Sequence, residues 1–307
     1  MQLGAAFPQD HTMLDPGAVR AYAQAVEAMG YSYIHGGEHV LGVDRTNRPD
    51  WTGPYDVHNV WREPFALHGF LAACTSTLTL GTSVLVLPLR RTALVAKQAA
   101  EVDVLSGGRF RLGVGVGWNE VEYEAMGMDA RSRGRRVEEQ VEVLRALWTQ
   151  ETVTYYGKWH TISEAGINPL PVQRPIPIWF GGGGVDAALR RIARLGDGWI
   201  PPGRHGETGP MVGKFRGYLH EAGRDPASVA IAGRVNVAGG TPDQWIEAYQ
   251  GWKAVGATHL AASTNGAGVT NADQHIEALR RFMEETRKLG SQEAPNGQSP
   301  SVSRRPS

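Results

Sequence analysis

Cysteine is almost missing from this chain: Cys74 is the single one among 307 residues. An intrachain disulfide is thereby excluded, and with it the small extracellular scaffolds that such bonds staple together. Cys74 falls in the helical-looking run FALHGFLAAC and reads as a small core residue rather than a reactive thiol. Long apolar runs are missing too. None approaches the roughly 20 residues a helix needs to cross a bilayer, so no membrane partner is expected. Nor is either sign of charge in excess, with 31 basic side chains against 31 acidic ones. Nothing in that balance suggests a nucleic-acid surface. Strand-like sequence begins at Gln2, which leaves no stretch for a secretory signal, and the cytoplasm is the expected compartment.

What the chain does have is an alternation. QLGAAFP reads as a strand and DPGAVRAYAQAVEAMG as a helix, with Asp15 as its cap, Pro16 in its first turn and Gly30 as its stop. YSYIHGGEH and REPFALHGFLAACT form the second pair, LTLGTSVLVLP and TALVAKQAAEVDVLSGG the third. RFRLGVGVG and the amphipathic RGRRVEEQVEVLRALWTQ follow as the fourth. IPIWFGG, DGWIPP, VAIAGRVNVAG and THLAAST supply four further strands, each followed by a helical pattern. Eight strand–helix pairs in sequence predict a (β/α)8 TIM barrel over residues 1–290. VTYYGKWHTI and NPLPVQRP break the rhythm and read as an inserted hairpin and linker, about residues 150–175; residues 291–307 read as a disordered tail.

Such a barrel builds its site at the C-terminal ends of its strands. The fifth strand delivers Gly181, Gly182, Gly183 and Gly184 straight into a helix start, where bare backbone N–H groups make an anion nest or, more plainly, a flexible turn. GVGVGW, Gly113 to Trp118, lacks the context of a dinucleotide fingerprint, and its alternating glycines fit a packing device equally well. HGGEH, His35 to His39, has the spacing of an inverted zinc-protease motif, but on a strand the two histidines stand about 13 Å apart, so no metal is expected. His39 alone, at a strand end, suits proton transfer or a purely structural hydrogen bond. Trp118, directly after the fourth strand, is a candidate wall for a planar ligand, whereas Trp179 reads as core. The stretch LGTSVLVLP raises a separate question, because three small residues, Gly81, Thr82 and Ser83, open an otherwise bulky strand.

Taken together, LGTSVLVLPLRR, DVLSGGRFRLGVGVGWNEVEYEAMGM, RGRRVEEQVEVLRALW, IPIWFGGGG and RRIARLGDGWIP resemble the bacterial luciferase-like flavin and deazaflavin oxidoreductases, in order, from Met1 to about Gly290. The resemblance is nearest to the coenzyme F420-dependent branch, such as F420-dependent glucose-6-phosphate dehydrogenase and methylenetetrahydromethanopterin reductase. It implies hydride transfer between F420 and a small organic substrate, with His39 near the reacting centre. It implies a non-prolyl cis peptide at Ser83–Val84 in a bulge behind the deazaflavin ring, Gly181 to Gly184 at the phosphate, and Gly117, Trp118 and Asn119 beside the cofactor. Glu38 stands where the family often has Asp, and Trp118 where several members place an acidic residue. Arg90, Arg91, Arg131, Arg133, Arg135 and Arg136 are candidates for the anionic polyglutamate tail of F420. The other reading within the family is an FMN-dependent monooxygenase that uses O2 and a partner flavin reductase. A non-catalytic binding protein on the same fold would need a degraded mouth, which the intact glycines and His39 argue against. Family members are commonly dimers, which makes a homodimer an expectation. The loop Leu41 to Trp61 and the insertion Val153 to Arg174 are expected to wall the substrate pocket, with Trp51, Tyr55, Tyr155, Tyr156 and Trp159 making it partly apolar.

Overall fold

Local signals set the ends of the elements in the computed structural model, which describes residues 1–266 and 268–293. Strand β1 (Gln2–Ala6) leads to helix α1 (Pro16–Ala28), capped by Asp15, whose carboxylate accepts from the Ala18 amide at 2.8 Å. A cap of this kind is worth about 1 kcal/mol. Next come β2 (Tyr33–Gly36), α2 (Pro64–Cys74), β3 (Thr79–Thr82), the two-residue β4 (Leu85–Val86) and α3 (Thr92–Ser106). Helix α3 stops at Gly107, which takes the left-handed conformation at φ 68° that lets the chain reverse. They are followed by β5 (Phe110–Gly115), α4 (Glu120–Ala125), α5 (Arg133–Thr149), β6 (Val153–Tyr156), β7 (Thr161–Ala165), β8 (Ile178–Gly181) and α6 (Asp186–Leu195). The chain continues through β9 (Gly198–Ile200), α7 (His205–Glu221), β10 (Ala230–Asn236), α8 (Pro242–Ala254), β11 (His259–Ser263) and α9 (Ala272–Glu293).

The strands pair in the order β3, β2, β1, β11, β10, β9, β8, β5, and β3 pairs back onto β5, so the parallel sheet closes into the expected eight-position barrel. β4 carries the third position onward past a break at Ser83 and Val84 and pairs with β5 at Leu85–Val114 and Val86–Gly115. β6 and β7 form the expected antiparallel hairpin outside the barrel. Glu139 of α5 accepts from the Lys158 and Trp159 amides and from His160 Nδ1 (2.7 Å), and His160 Nε2 meets Thr92 Oγ1 at 2.6 Å, so the hairpin is fastened to α5 and the start of α3. Two elements differ from the reading of the sequence. Helix α4 was not expected, and α7 begins at His205 rather than after Pro210, where MVGKFRGYLHEAG reads as the sixth helix, because a proline in the second turn of a helix removes one hydrogen bond without ending it. Helix α9 continues to Glu293, and residues 294–307 of the expected tail lie outside the described residues.

The sheet's outer face meets the helices through an apolar layer that includes Trp148, Trp199 and Trp252. The barrel interior is different. Arg111 stands with its guanidinium carbon 3.7 Å from the Trp179 ring centre and 4.9 Å from that of Tyr33, and His259 packs edge-on to Trp179 at 4.8 Å. Trp179 is buried, as expected, but within this polar–aromatic plug rather than in an aliphatic core.

Candidate active site

The break between β3 and β4 lies at the C-terminal end of the barrel, and the surrounding glycines explain it. A Cβ on Gly115 would lie 2.7 Å from a Val84 methyl, and one on Gly181 would lie 2.6 Å from the other. On Gly117 it would meet Val86 at 2.5 Å, and on Gly37 the Ser83 carbonyl at 3.0 Å. The glycines of GVGVGW are therefore sockets for the third strand, the packing alternative left open by the sequence. The Ser83–Val84 peptide is cis. Ser83 donates its amide to the Gly36 carbonyl at 2.7 Å, and buried His68 donates Nε2–H to the Gly81 carbonyl at 2.7 Å, so both sides of the bend are held.

A cavity of about 350 Å³ opens over this bend. It is lined by Gly37, Glu38, His39, Tyr55, Trp61, Ser83, Val84, Val86, Gly115, Val116, Gly117, Trp118, Gly181 and Gly182. Most of the residues singled out in the sequence thus converge on one space. Asn119 stands apart: it is buried, and its side chain caps α4 by accepting from Val121 N at 3.0 Å. Gly183 and Gly184 continue from the cavity edge to α6, with Gly183 at φ 122°. Among the described residues neither donates its amide to a protein acceptor, and a Cβ added to Gly182 or Gly184 would meet nothing within 4 Å.

His39 is the residue best equipped for chemistry. Its Nδ1 lies 3.0 Å from Glu122 Oε2, with side chains 9% and 2% exposed. Glu122 also accepts from the amides of Val40 (2.5 Å) and Leu41 (3.3 Å). Burial pushes the Glu122 carboxyl up, but the His39 hydrogen bond and charge and the two amides outweigh it, and the net shift is downward. A carboxylate held ionised fixes the imidazole with Nδ1–H toward itself and leaves Nε2 free for the cavity. Tyr55, Trp61 and Trp118 surround the ring at centroid distances of 4.9, 4.8 and 5.5 Å, and Trp51 stacks on Trp118 at 5.6 Å. Glu122 was missed in the sequence; the signal that reveals it is Asn119 followed by acidic residues, a helix start.

The loop that carries this wall is bonded to itself. Arg45 binds Asp56 (2.8 Å) and the Gly53 carbonyl (2.7 Å), Trp51 Nε1 donates to the Tyr55 carbonyl (2.9 Å), and Val57 donates to Val43 (3.3 Å).

Two expectations are corrected, those for Arg90 and for the hairpin aromatics. Glu38 lines the cavity, and its carboxylate is engaged by the Val86 amide (2.7 Å) and by Arg90, so it also holds the bend. Burial raises its pKa against the pull of Arg90. Arg90, paired with Glu38 and with Glu63 at 3.1 Å, is not free to meet an anionic tail. Tyr155, Tyr156 and Trp159 of the hairpin line no part of the cavity, because the hairpin lies against the outer helices. Arg133 and Arg136 lie near Tyr123, whose hydroxyl is pushed up to about 12 by burial against their opposing charge. Burial and the neighbouring Arg91 lower the pKa of Arg136.

Among the described residues no helix is long and apolar enough to cross a membrane. Comparison with known proteins is consistent with this architecture. An uncharacterized protein of Mycobacterium tuberculosis is 36% identical over 209 residues, 66% of this chain and 71% of that one. The F420-dependent glucose-6-phosphate dehydrogenase of Intrasporangium calvum is 36% identical over 168 residues (52% and 49%), and the FMNH(2)-dependent dimethylsulfone monooxygenase of Pseudomonas putida 30% over 187 (60% and 48%). The fold is shared with the monooxygenase RslO1 of Streptomyces bottropensis (TM-score 0.79, 17% identity, 94% of this chain and 100% of that one). It is shared equally with an F420-dependent secondary alcohol dehydrogenase (0.75, 16%, 92% and 98%). Residues 1–306 match the luciferase-like monooxygenase family, and the chain belongs to it.

Proposed function

We propose that the chain is an oxidoreductase that transfers a hydride between coenzyme F420 and a small, partly apolar organic substrate. The observation that carries this reading is the His39–Glu122 pair facing, through Nε2, a cavity whose far wall is bare backbone. The residues present suit a planar cofactor with a phosphate. Ser83, Val84 and Gly181 offer a flat surface without long side chains, and the unpartnered amides of Gly183 and Gly184 at the start of α6 suit an anion. Bound there, F420 supplies the hydride. His39 holds or delivers a proton at Nε2, Glu122 keeps the ring oriented, and Tyr55, Trp61 and Trp118 exclude water from the reacting carbon. With Arg90 engaged, Arg91, Arg131, Arg133, Arg135 and Arg136 are the guanidiniums left for the polyglutamate tail, and Arg91 lies close enough to Arg136 to lower its pKa. A relative of each cofactor type exists, and the F420-dependent one has the higher identity over its matched stretch.

The test is a titration of the purified chain with F420 and with FMN, read by tryptophan fluorescence, since Trp61 and Trp118 line the cavity. Micromolar or tighter F420 binding, with FMN much weaker, is expected. The reverse preference, followed by oxygen uptake in the presence of a flavin reductase, would replace the proposal with the FMN-dependent monooxygenase.

A further inference from the structure

The His39 cavity occupies one side of the barrel mouth, and the other side carries a cation that the chemistry above does not use. On β10, Val235 lies in the apolar layer against the helices, and a Cβ on Gly233 would meet Trp252 at 2.3 Å. Strand alternation therefore points Arg234, between them, into the barrel. Arg111 also points inward, but it is buried beside Trp179 and Tyr33. Arg234 is exposed, and an inward-facing side chain is exposed only where it reaches the open mouth. Among the described residues its guanidinium makes no ion pair, hydrogen bond or ring contact, and only its backbone carbonyl is engaged, by Trp252.

What lies between Arg234 and the His39 side is kept small. In register, Arg234 stands opposite Ala261, Ala261 opposite Gly4, and Gly4 opposite Tyr33. The two intervening strands thus add no more than a methyl group at this level. Ala6, one inward step above Gly4, stands opposite His35. His35 is partly exposed, and neither of its ring nitrogens has a partner among the described residues; Nε2 is enclosed, whereas Nδ1 is not. The charges that act on His35 belong to Arg111, Arg234 and His68, with no carboxylate among them. Gly37, the next inward position of β2, already lines the His39 cavity, so the two sides share that strand. This part of the mouth is positive, free of bulky side chains and without a counter-ion. A guanidinium presents two parallel N–H groups that match a carboxylate, and a single one balances one negative charge rather than the two of a phosphate.

Resting on the proposed use of the His39 cavity, we infer that the substrate is a carboxylic acid whose carboxylate is held by Arg234, with its apolar body reaching across the mouth toward His39. Arg234 is then the residue that sets the substrate class. The experiment is calorimetric titration of the full chain, both cofactor-free and saturated with whichever of F420 and FMN it binds. The probes are acetate, hexanoate and 3-phenylpropanoate and, in parallel, their primary amides, at constant ionic strength. At least one acid should bind about tenfold or more tighter than its amide, the usual worth of a hydrogen-bonded charge. Arg234→Gln should abolish that preference by weakening the acid and leaving the amide unchanged, and Arg234→Lys should retain part of it. Cofactor affinity should be the same in Arg234→Gln as in the wild type. Thermal melts of each variant separate lost binding from lost folding. Acids that bind no better than their amides, or not at all, overturn the inference, and so does a preference that survives Arg234→Gln. It is equally overturned if Arg234→Gln weakens the cofactor as much as the acid, because Arg234 then belongs to the cofactor. The two readings fail separately. An acid preference without binding of either cofactor removes the proposed function alone, and cofactor binding without an acid preference removes only this inference.

Discussion

Two histidines four residues apart, His35 in strand β2 and His39 just past its end, are treated in opposite ways by the barrel. His35 lies inside the barrel next to Tyr33 (centroids 5.9 Å apart), with its Nε2 buried and unpartnered. Burial, then the charges of Arg111, Arg234 and His68, drive its pKa down to about 3. His39, at the mouth, has Glu122 on one nitrogen and the cavity on the other. Aromatic rings surround both, so aromatic packing does not distinguish them. The carboxylate does. On the proposed reading His39 is the proton carrier because an ionised acid lies beside it, whereas His35, whose nearest charges are guanidiniums, stays neutral.

The comparison breaks most sharply at the mouth. His39→Asn should lower kcat/KM about 10²- to 10⁴-fold, the usual worth of a general acid–base group. Glu122→Gln should cost roughly 10- to 100-fold and alter the pH–rate profile, since the ionised carboxylate that orients the ring through Nδ1 is gone. Unchanged pH–rate behaviour in Glu122→Gln would show that the pair is only structural. The next effect is on stability. His35 is neutral in the fold, whereas in the unfolded chain it takes up a proton as pH drops below about 6.5. Stability is therefore complete above that pH and is lost as pH falls from 6.5 toward the folded value of about 3. The loss is about 1.4 kcal/mol per pH unit from this group alone. Urea midpoints across that range should show the slope, and His35→Gln should flatten it. The smallest effect is expected from Arg111→Met. Burial holds Arg111 down to about 10, and it presses on both His35 and His259. An apolar side chain of similar length should change stability at pH 7 by no more than about 1–2 kcal/mol. It should also raise both histidine pKa values, which NMR titration would detect.

The barrel was legible because each strand and helix advertises itself locally: Asp15 before Pro16, Gly107 after α3, alternation repeated eight times. The cavity was legible at the strand ends, where His39, Ser83, Val84 and the glycines fall once the fold is granted. What stayed hidden was pairing across the chain. Arg90 looks free in sequence, and only the third dimension brings it to Glu38, 52 residues away. Glu122 was missed for another reason: the six-residue α4 is too short to show a helical period, and its only sequence signal is the Asn119 cap before the acidic first turn. The glycines of GVGVGW were ambiguous because a packing socket and a dinucleotide fingerprint call for the same residue, and the Val84 and Val86 side chains decide for the socket.

The wall around His39 is built by a loop whose hydrogen bonds close largely on themselves, from Arg45–Asp56 to Trp51–Tyr55. Such a segment behaves as an exchangeable cassette. Its length and sequence can drift, or be swapped between relatives, without disturbing the strands beneath, provided that the Leu41 amide still meets Glu122 and that Tyr55 and Trp61 still pack on His39. Divergence toward new substrates within this architecture has a cheap route, and directed evolution confined to residues 41–61 would follow it.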